Sequence, residues 1–341
     1  MRRPSVRLAG LYLAGGALLL SGCSSESGTG SSGGGGDGTL DVVASTNVYG
    51  NIMESVGGDR VSVTSIIDRP SQDPHSYEAT ARDKLAVSEA DLVVLNGGGY
   101  DTFMETLVAD SGIDSADVLN AVEISGLEDT AGETHDGGEA HDDEAHSGDS
   151  TAGSGDGHAH GHAGHSHGSF NEHVWYSPEA MGLLAEAAAE RLATVDPDHA
   201  STYRDNAAAF NSGIDELTAN LAEDSAAAGG RDVAVTEPVP EYLFEAAGLH
   251  NVTPADFTAA VEEGADVPPA VLKEMQDLLR SGDVAFLAYN TQTSTAQTET
   301  VRAVAEDAGV PVLDFSETLP DGQDYLGWMG SNVTAIDDVL R

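Results

Sequence analysis

The chain has 341 residues, and its 14 lysines and arginines against 58 aspartates and glutamates give a formal net charge of −44. This charge argues against nucleic acid as a partner, because DNA and RNA are themselves polyanions. Hydrophobic residues make up 40% of the chain, enough for a folded core in one or two domains, and 40 unevenly spread glycines predict flexible segments between folded ones.

The amino terminus is typical of a secretory signal peptide over residues 1–22. A basic stretch precedes about 13 apolar residues, whereas a membrane-spanning helix needs about 20. Cys23, the only cysteine, follows Leu20-Ser21-Gly22, a sequence that resembles the lipobox of bacterial lipoproteins. We expect cleavage before Cys23, a lipid anchor on that residue at the extracytoplasmic face of the cell membrane, and a Ser/Gly-rich tether over residues 23–38. An incidental thiol is the alternative.

The sequence pattern over residues 39–198 predicts an amino-terminal α/β lobe. Short β-rich runs alternate with helical ones, a pattern typical of βαβ units and a parallel sheet. The expected strands are 40–45, 61–67, 91–95 and 118–122, and the expected helices are 48–56, 80–90, 102–109 and one starting at Pro178.

A polar insert interrupts this lobe at residues 125–170. It contains ten acidic residues, eight histidines and little apolar surface to bury, so we expect it to be disordered. Histidine-rich tracts collect zinc and similar ions, and the alternative is a solvated linker without selectivity. The candidate auxiliary ligands are His135, His141, His146, His158, His160, His162, His165 and His167.

The second half of the chain predicts a long linking helix over residues 199–229 and a carboxy-terminal α/β lobe over residues 230–341. The fold class is therefore α/β, with two lobes of mostly parallel sheets joined by one long helix and a cleft between them. The expected strands of the second lobe are 232–236, one near 251, 284–289 and 310–315, and its helices are 242–247, 269–281, 295–308 and one from about 325.

In sheets of this kind, ligands bind beyond the carboxyl ends of the strands. Three candidate side chains follow expected strands and the fourth follows the insert. They are His75, His173, Glu237 and Glu317. Imidazole and carboxylate together suit a divalent first-row metal ion, and the lack of further cysteines argues against a closed structural zinc site. Taken alone, a residue of any of these types is more often an ordinary surface or hydrogen-bonded residue than a metal ligand. Gly97-Gly98-Gly99 predicts a plain turn, because the spacing of a phosphate-binding loop is missing.

Several short motifs occur in a characteristic order. They are DPHSYE at 73–78, HVW at 173–175, DP at 196–197 with Tyr203 and Asn206, and VTE at 235–237 leading to YLFEAAGL at 242–249. With them the chain from residue 40 to 341, apart from the insert, resembles the zinc- and manganese-binding receptors of ABC transporters, the group called cluster A-I.

The resemblance implies a binding protein rather than an enzyme, with one Zn²⁺ or Mn²⁺ carried in the cleft and delivered to an ABC permease. His75 and His173 match the two histidines of the first lobe, Glu237 matches a position that is Glu in many manganese receptors, and Glu317 matches the final carboxylate. Asn171-Glu172 departs from the usual Asp-Pro. Glu237 favours manganese and the histidines of the insert favour zinc, which we place ahead of manganese. Binding should weaken as imidazoles protonate near pH 6.5.

Two other classes of function stay open at this point. A metal-dependent hydrolase would need an open coordination position and a general base beside the same ligands. A surface metal-storage protein or adhesin would act through the histidine-rich insert instead of the cleft.

Overall fold

The structure is a computed structural model that describes residues 38–128 and 170–341, without the side chains of residues 224–228. The predicted signal peptide, the predicted lipidation at Cys23, the tether up to residue 37 and residues 129–169 of the predicted insert lie outside the described residues. The eight histidines of the insert also lie there: His135, His141, His146, His158, His160, His162, His165 and His167. Within the described ranges, no helix combines the length and apolar character needed to cross a membrane.

The first sheet has four parallel strands in the order β2, β1, β3, β4. They are β1 (Leu40–Thr46), β2 (Val61–Ile67), β3 (Leu92–Leu95) and β4 (Val118–Asn120). Val42 of β1 pairs with Val63 on one side and with Leu92 on the other, so apolar residues meet across the middle of the sheet. Because all four strands are parallel, their carboxyl ends lie at the same edge.

The second sheet repeats this arrangement in the order β6, β5, β7, β8. Its strands are β5 (Asp232–Val235), β6 (His250–Asn251), β7 (Val284–Asn290) and β8 (Val312–Phe315). All pairs are again parallel, with Ala234 opposite Leu287 and Leu287 opposite Val312. The predicted α/β class with two parallel sheets is confirmed.

Eleven α-helices lie entirely within the described residues. Side-chain caps and glycines set many of their ends: Thr80 and Asp83 form a capping box at the start of α2, and Gly229 ends α6 in the left-handed conformation. The helices are α1 (Asn47–Gly57), α2 (Ala81–Glu89), α3 (Thr102–Ser111), α4 (Ala121–Ser125), α5 (Pro178–Val195), α6 (Ala200–Ala228), α7 (Glu241–Ala246), α8 (Ala255–Glu262), α9 (Pro269–Ser281), α10 (Ala296–Ala308) and α11 (Tyr325–Leu340).

The long predicted helix is present as α6, which has 29 residues and a length of about 44 Å. It follows the first lobe (the first sheet with α1–α5) and precedes the second lobe (the second sheet with α7–α11). One stripe of α6 is buried against α5, α1 and α11. The stripe consists of Tyr203, Ala207, Phe210, Ile214, Leu217 and Leu221.

The two lobes share one continuous apolar core, which runs from β1 through α5 and α6 to α11. Hydrogen bonds across the lobes accompany it. The side chain of Asn47 bonds to both the carbonyl and the N–H of Leu319 at 2.9 Å, and the Tyr325 hydroxyl donates to the carbonyl of Trp175 at 2.8 Å. These contacts fix the position of one sheet relative to the other.

The structure differs from the sequence prediction at the boundary of the insert and in one helix. The strand expected over 118–122 ends at Asn120, because the Asn120 side chain accepts from the N–H of Glu123 and starts α4. Ser125 belongs to that helix, and Leu127 and Phe170 pack against the core, so the edges of the predicted insert belong to the lobe. Helix α8 has no counterpart in the prediction.

Candidate metal centre

His75 lies in the loop that leaves β2, within a short 3-10 turn over Pro74–Ser76. The carboxylate of Asp73 caps this turn by accepting from the N–H of His75 at 2.9 Å and from the hydroxyl of Ser76 at 2.8 Å. Proline at the first position of the turn fixes its backbone. The turn therefore presents an exposed imidazole at the carboxyl edge of the first sheet.

His173 is buried just before α5, at 2% exposure. Its Nδ1 lies 2.6 Å from Oδ1 of Asn171, and the amide group of Asn171 is oriented by a bond from its Nδ2 to the carbonyl of Pro238 at 2.9 Å. We infer that a proton on Nδ1 satisfies Asn171, so that Nε2 is the nitrogen that would bind a metal ion. Asn171 thus orients the imidazole although it departs from the usual aspartate.

Glu317 follows β8 and is buried at 2% exposure. Its N–H donates to Oε1 of Gln292 at 2.7 Å, which fixes the backbone. Its carboxylate accepts from the Tyr100 hydroxyl at 3.1 Å and from Nδ2 of Asn290 at 2.7 Å. Glu317 therefore receives one hydrogen bond from each lobe.

The fold brings these three side chains together from loops that are far apart in the chain. One ligand atom each of His75, His173 and Glu317 lies within 4.8 Å of the other two. Ligand atoms around one zinc ion, each about 2.0–2.2 Å from the metal, lie about 3–4 Å apart, so small side-chain rotations suffice to close this group on an ion. We call these three residues the inner group.

Glu237, the remaining predicted ligand, follows β5 but is not a member of the inner group. Its carboxylate accepts hydrogen bonds from Asn290 and Thr293. Because Asn290 also donates to Glu317, one amide joins the two carboxylates. Glu237 lies beside the inner group and is held by hydrogen-bond donors.

Burial is the main reason why three glutamates in this region have raised pKa values. Desolvation and the charge of Glu317 raise the pKa of Glu237 to about 7, and desolvation raises the pKa of Glu317 to about 7 against the opposing hydrogen bonds of Asn290 and Tyr100. Glu262, at the end of α8, has its pKa raised to about 8 by desolvation and by surrounding glutamates. When these carboxyl groups ionise, their negative charges lie close together away from bulk water, and a cation would stabilise them.

Sequence reasoning missed Tyr100, Asn290 and Glu262. Tyr100 follows the triple-glycine turn, in which all three glycines have positive φ, and it packs edge-on against His75 with ring centroids 4.9 Å apart. Asn290 ends β7, so the rule that ligands gather at the carboxyl ends of strands applies to it. No sequence pattern indicated Glu262 as a site residue, because the helix that carries it was not predicted.

A family model for the periplasmic component A of the zinc-uptake complex, ZnuA, matches residues 42–339. The chain is 26% identical over 347 residues to the zinc-binding lipoprotein AdcA of Streptococcus pneumoniae, a match that covers 98% of this chain and 60% of that protein. It is 24% identical over 325 residues to the manganese ABC transporter substrate-binding lipoprotein scaA of Streptococcus gordonii, covering 88% of this chain and 89% of that one.

The fold is also similar to solved structures. The periplasmic zinc-binding protein TroA of Treponema pallidum superimposes with a TM-score of 0.67 at 18% identity, covering 89% of this chain and 99% of TroA. These relatives are solute-binding proteins and not enzymes. Because the family model spans most of the chain, the protein belongs to the ZnuA family of binding components of metal-uptake transporters.

Proposed function

We propose that the protein is a lipid-anchored, extracytoplasmic receptor that binds one divalent transition metal ion between its lobes and delivers it to an ABC permease. The proposal rests on one observation, the convergence of His75, His173 and Glu317 within 4.8 Å. The lipoprotein relatives and the lipobox-like sequence at Cys23 support the anchor and the location.

We propose zinc ahead of manganese as the transported ion. The inner group offers two imidazoles and one carboxylate, and imidazole suits zinc better than manganese, which favours oxygen ligands. Glu237 would add a second carboxylate, but Asn290 and Thr293 already donate to it. For a given set of ligands, the general order of affinities of divalent first-row ions also places zinc above manganese.

The cleft allows metal exchange without a large movement of the lobes. His75 is exposed on a surface loop, whereas His173 and Glu317 are buried behind it. The shared core and the hydrogen bonds between Asn47 and Leu319 oppose a separation of the lobes. We propose that the loop carrying His75 moves when the ion enters and leaves.

Competitive titration tests this function. Metal-stripped protein is titrated with Zn²⁺ and with Mn²⁺ against a chelator, so that only tight binding is counted. We expect one tight site that prefers Zn²⁺ at least tenfold, lost in His75→Ala and kept in His250→Ala, which removes an exposed histidine on an edge strand of the second sheet. A preference for Mn²⁺ would replace zinc as the proposed ion, and a tight site unaffected by His75→Ala would exclude the inner group.

A further inference from the structure

A second set of potential metal ligands lies next to the inner group. One ligand atom each of Glu172, His173 and Glu262 lies within 4.8 Å of the other two. Glu172 and His173 come from the first lobe and Glu262 from the second, so this set also bridges the cleft. We call these three residues the outer group, because Glu262 is only half-buried.

The fold of α8 determines the position of Glu262. Phe257 and Val261 of this helix are buried in the apolar core of the second lobe and anchor it there. Glu262 is the last residue of the helix, and the chain then turns through Glu263 and Gly264, which has a φ of 62°. The anchored helix therefore holds the Glu262 carboxylate at the cleft.

Glu172 is held just as firmly on the opposite side. Its side chain is buried at 5% exposure, and its carbonyl accepts from Nδ2 of Asn96 at 3.0 Å and from the N–H of Val174 at 2.8 Å. Two hydrogen bonds to one carbonyl leave the backbone little freedom. Glu172 and His173 are therefore presented to Glu262 from a fixed segment.

The charges in the outer group favour a bound cation. When both are ionised, Glu262 and Glu172 repel each other in a partly desolvated site, where charge interactions are stronger than in bulk solvent. Within residues 38–128 and 170–341, Glu262 forms no ion pair with a lysine or arginine. A divalent ion would offset this repulsion, and two carboxylates with one imidazole form a ligand set that first-row divalent ions accept.

We propose that Glu172, His173 and Glu262 form a second, outer position for a divalent transition metal ion. This inference rests on the proposed function, because the outer group shares His173 with the inner group. One imidazole then serves both positions, and an ion leaves the outer position as it is bound by His75 and Glu317. The outer position would receive the ion from solvent, and the inner position would hold it more tightly.

The test removes the inner group and asks what remains. In the full-length His75→Ala/Glu317→Gln variant, binding of Mn²⁺ is followed by the electron paramagnetic resonance signal of the free ion. Mn²⁺ is chosen because it gives this signal and favours carboxylates over the imidazoles of the insert. Binding to the ten acidic residues of the insert is common to all the variants and cancels in their comparison. We expect this variant to bind one Mn²⁺ weakly. Adding Glu262→Gln should decrease the affinity for that ion at least tenfold.

The matched control is Glu263→Gln in the same background, because Glu263 is the neighbouring exposed carboxylate. We expect it to leave Mn²⁺ binding unchanged. Equal binding in the Glu262→Gln and Glu263→Gln variants would overturn the outer position. The proposed function fails separately, if His75→Ala/Glu317→Gln binds Zn²⁺ as tightly as the unmodified protein does.

Discussion

Asn290 controls how the two buried carboxylates of the second lobe lie relative to each other. Its amide nitrogen has two hydrogens, and it donates to both Glu237 and Glu317. Both glutamates have a pKa of about 7, so near neutral pH each is only partly ionised in the metal-free protein. We therefore expect metal binding at the inner group to compete with protons for Glu317, so affinity should fall as the pH drops below 7.

Glu317→Gln should stabilise the metal-free protein at pH 8. A carboxylate whose pKa rises from 4.5 in the unfolded chain to about 7 in the folded one binds protons more tightly when folded, so its contribution to stability is lost as pH rises from about 4.5 through 7. The uncharged glutamine avoids this loss, and we expect a gain of ~1–3 kcal/mol in the free energy of unfolding. Urea denaturation with and without Zn²⁺ measures it.

Two further results complete this test. Zn²⁺ should stabilise the unmodified protein more than Glu317→Gln, because the variant lacks one of the three proposed ligands. The exposed Glu263→Gln should change stability by less than about 0.5 kcal/mol. A metal-free Glu317→Gln variant that is less stable than the unmodified protein at pH 8 would contradict the account of this buried charge.

Tyr100→Phe should weaken metal binding without removing a ligand. The Tyr100 hydroxyl donates to Glu317 from the opposite lobe at 3.1 Å, and this hydrogen bond lowers the pKa of Glu317. A hydrogen bond to a charged group contributes about 1.5–3 kcal/mol, so we expect binding about tenfold to a hundredfold weaker at pH 7. The difference should shrink at pH 9, where Glu317 is ionised in both proteins. Equal zinc affinities at pH 7 would contradict this role.

At the scale of elements, the turn after β3 positions Tyr100. Gly97 has a φ of 79°, and a Cβ atom built on it would lie 2.3 Å from Oδ1 of Asn120. Asn120 in turn caps α4 by accepting from the N–H of Glu123. The turn thus contacts the start of α4, and only glycine fits at its first position.

Gly97→Ala should therefore be more damaging than Gly99→Ala. Both glycines have positive φ, but a Cβ atom on Gly99 would meet nothing within 4 Å. The two variants share the backbone strain, and only the first adds the clash with Asn120, which we expect to cost about 1–3 kcal/mol more and to weaken zinc binding by displacing Tyr100. Thermal unfolding and zinc titration of both variants measure the difference. Equal losses would show that the close contact is unimportant.

Most elements could be predicted because local patterns determine them. The run over Val61–Ile67 and the proline-started helix over Pro178–Val195 have the predicted starts, and the three residues of the inner group lie in the predicted loops. Helix α8 could not be predicted, because Phe257 and Val261 are its two buried apolar residues and the packing that buries them is tertiary. The position of Glu237 outside the inner group could not be predicted either, because it depends on hydrogen bonds from Asn290 and Thr293 in another part of the chain.

At the scale of the whole molecule, the shared core determines how the site works. The two sheets meet through α5, α6 and α11, and residues from both lobes complete the inner group. The formal net charge of −44 attracts cations towards the surface, and the buried carboxylates continue this attraction into the cleft. We therefore expect metal exchange to need only small movements of loops on this frame.

The most direct test is anomalous diffraction at the zinc absorption edge from crystals of the zinc-loaded protein. We predict one strong peak in the cleft, about 2.0–2.2 Å from a nitrogen of His75, a nitrogen of His173 and an oxygen of Glu317. A zinc-loaded crystal with no peak among these three residues, and with all its zinc elsewhere, would contradict the account.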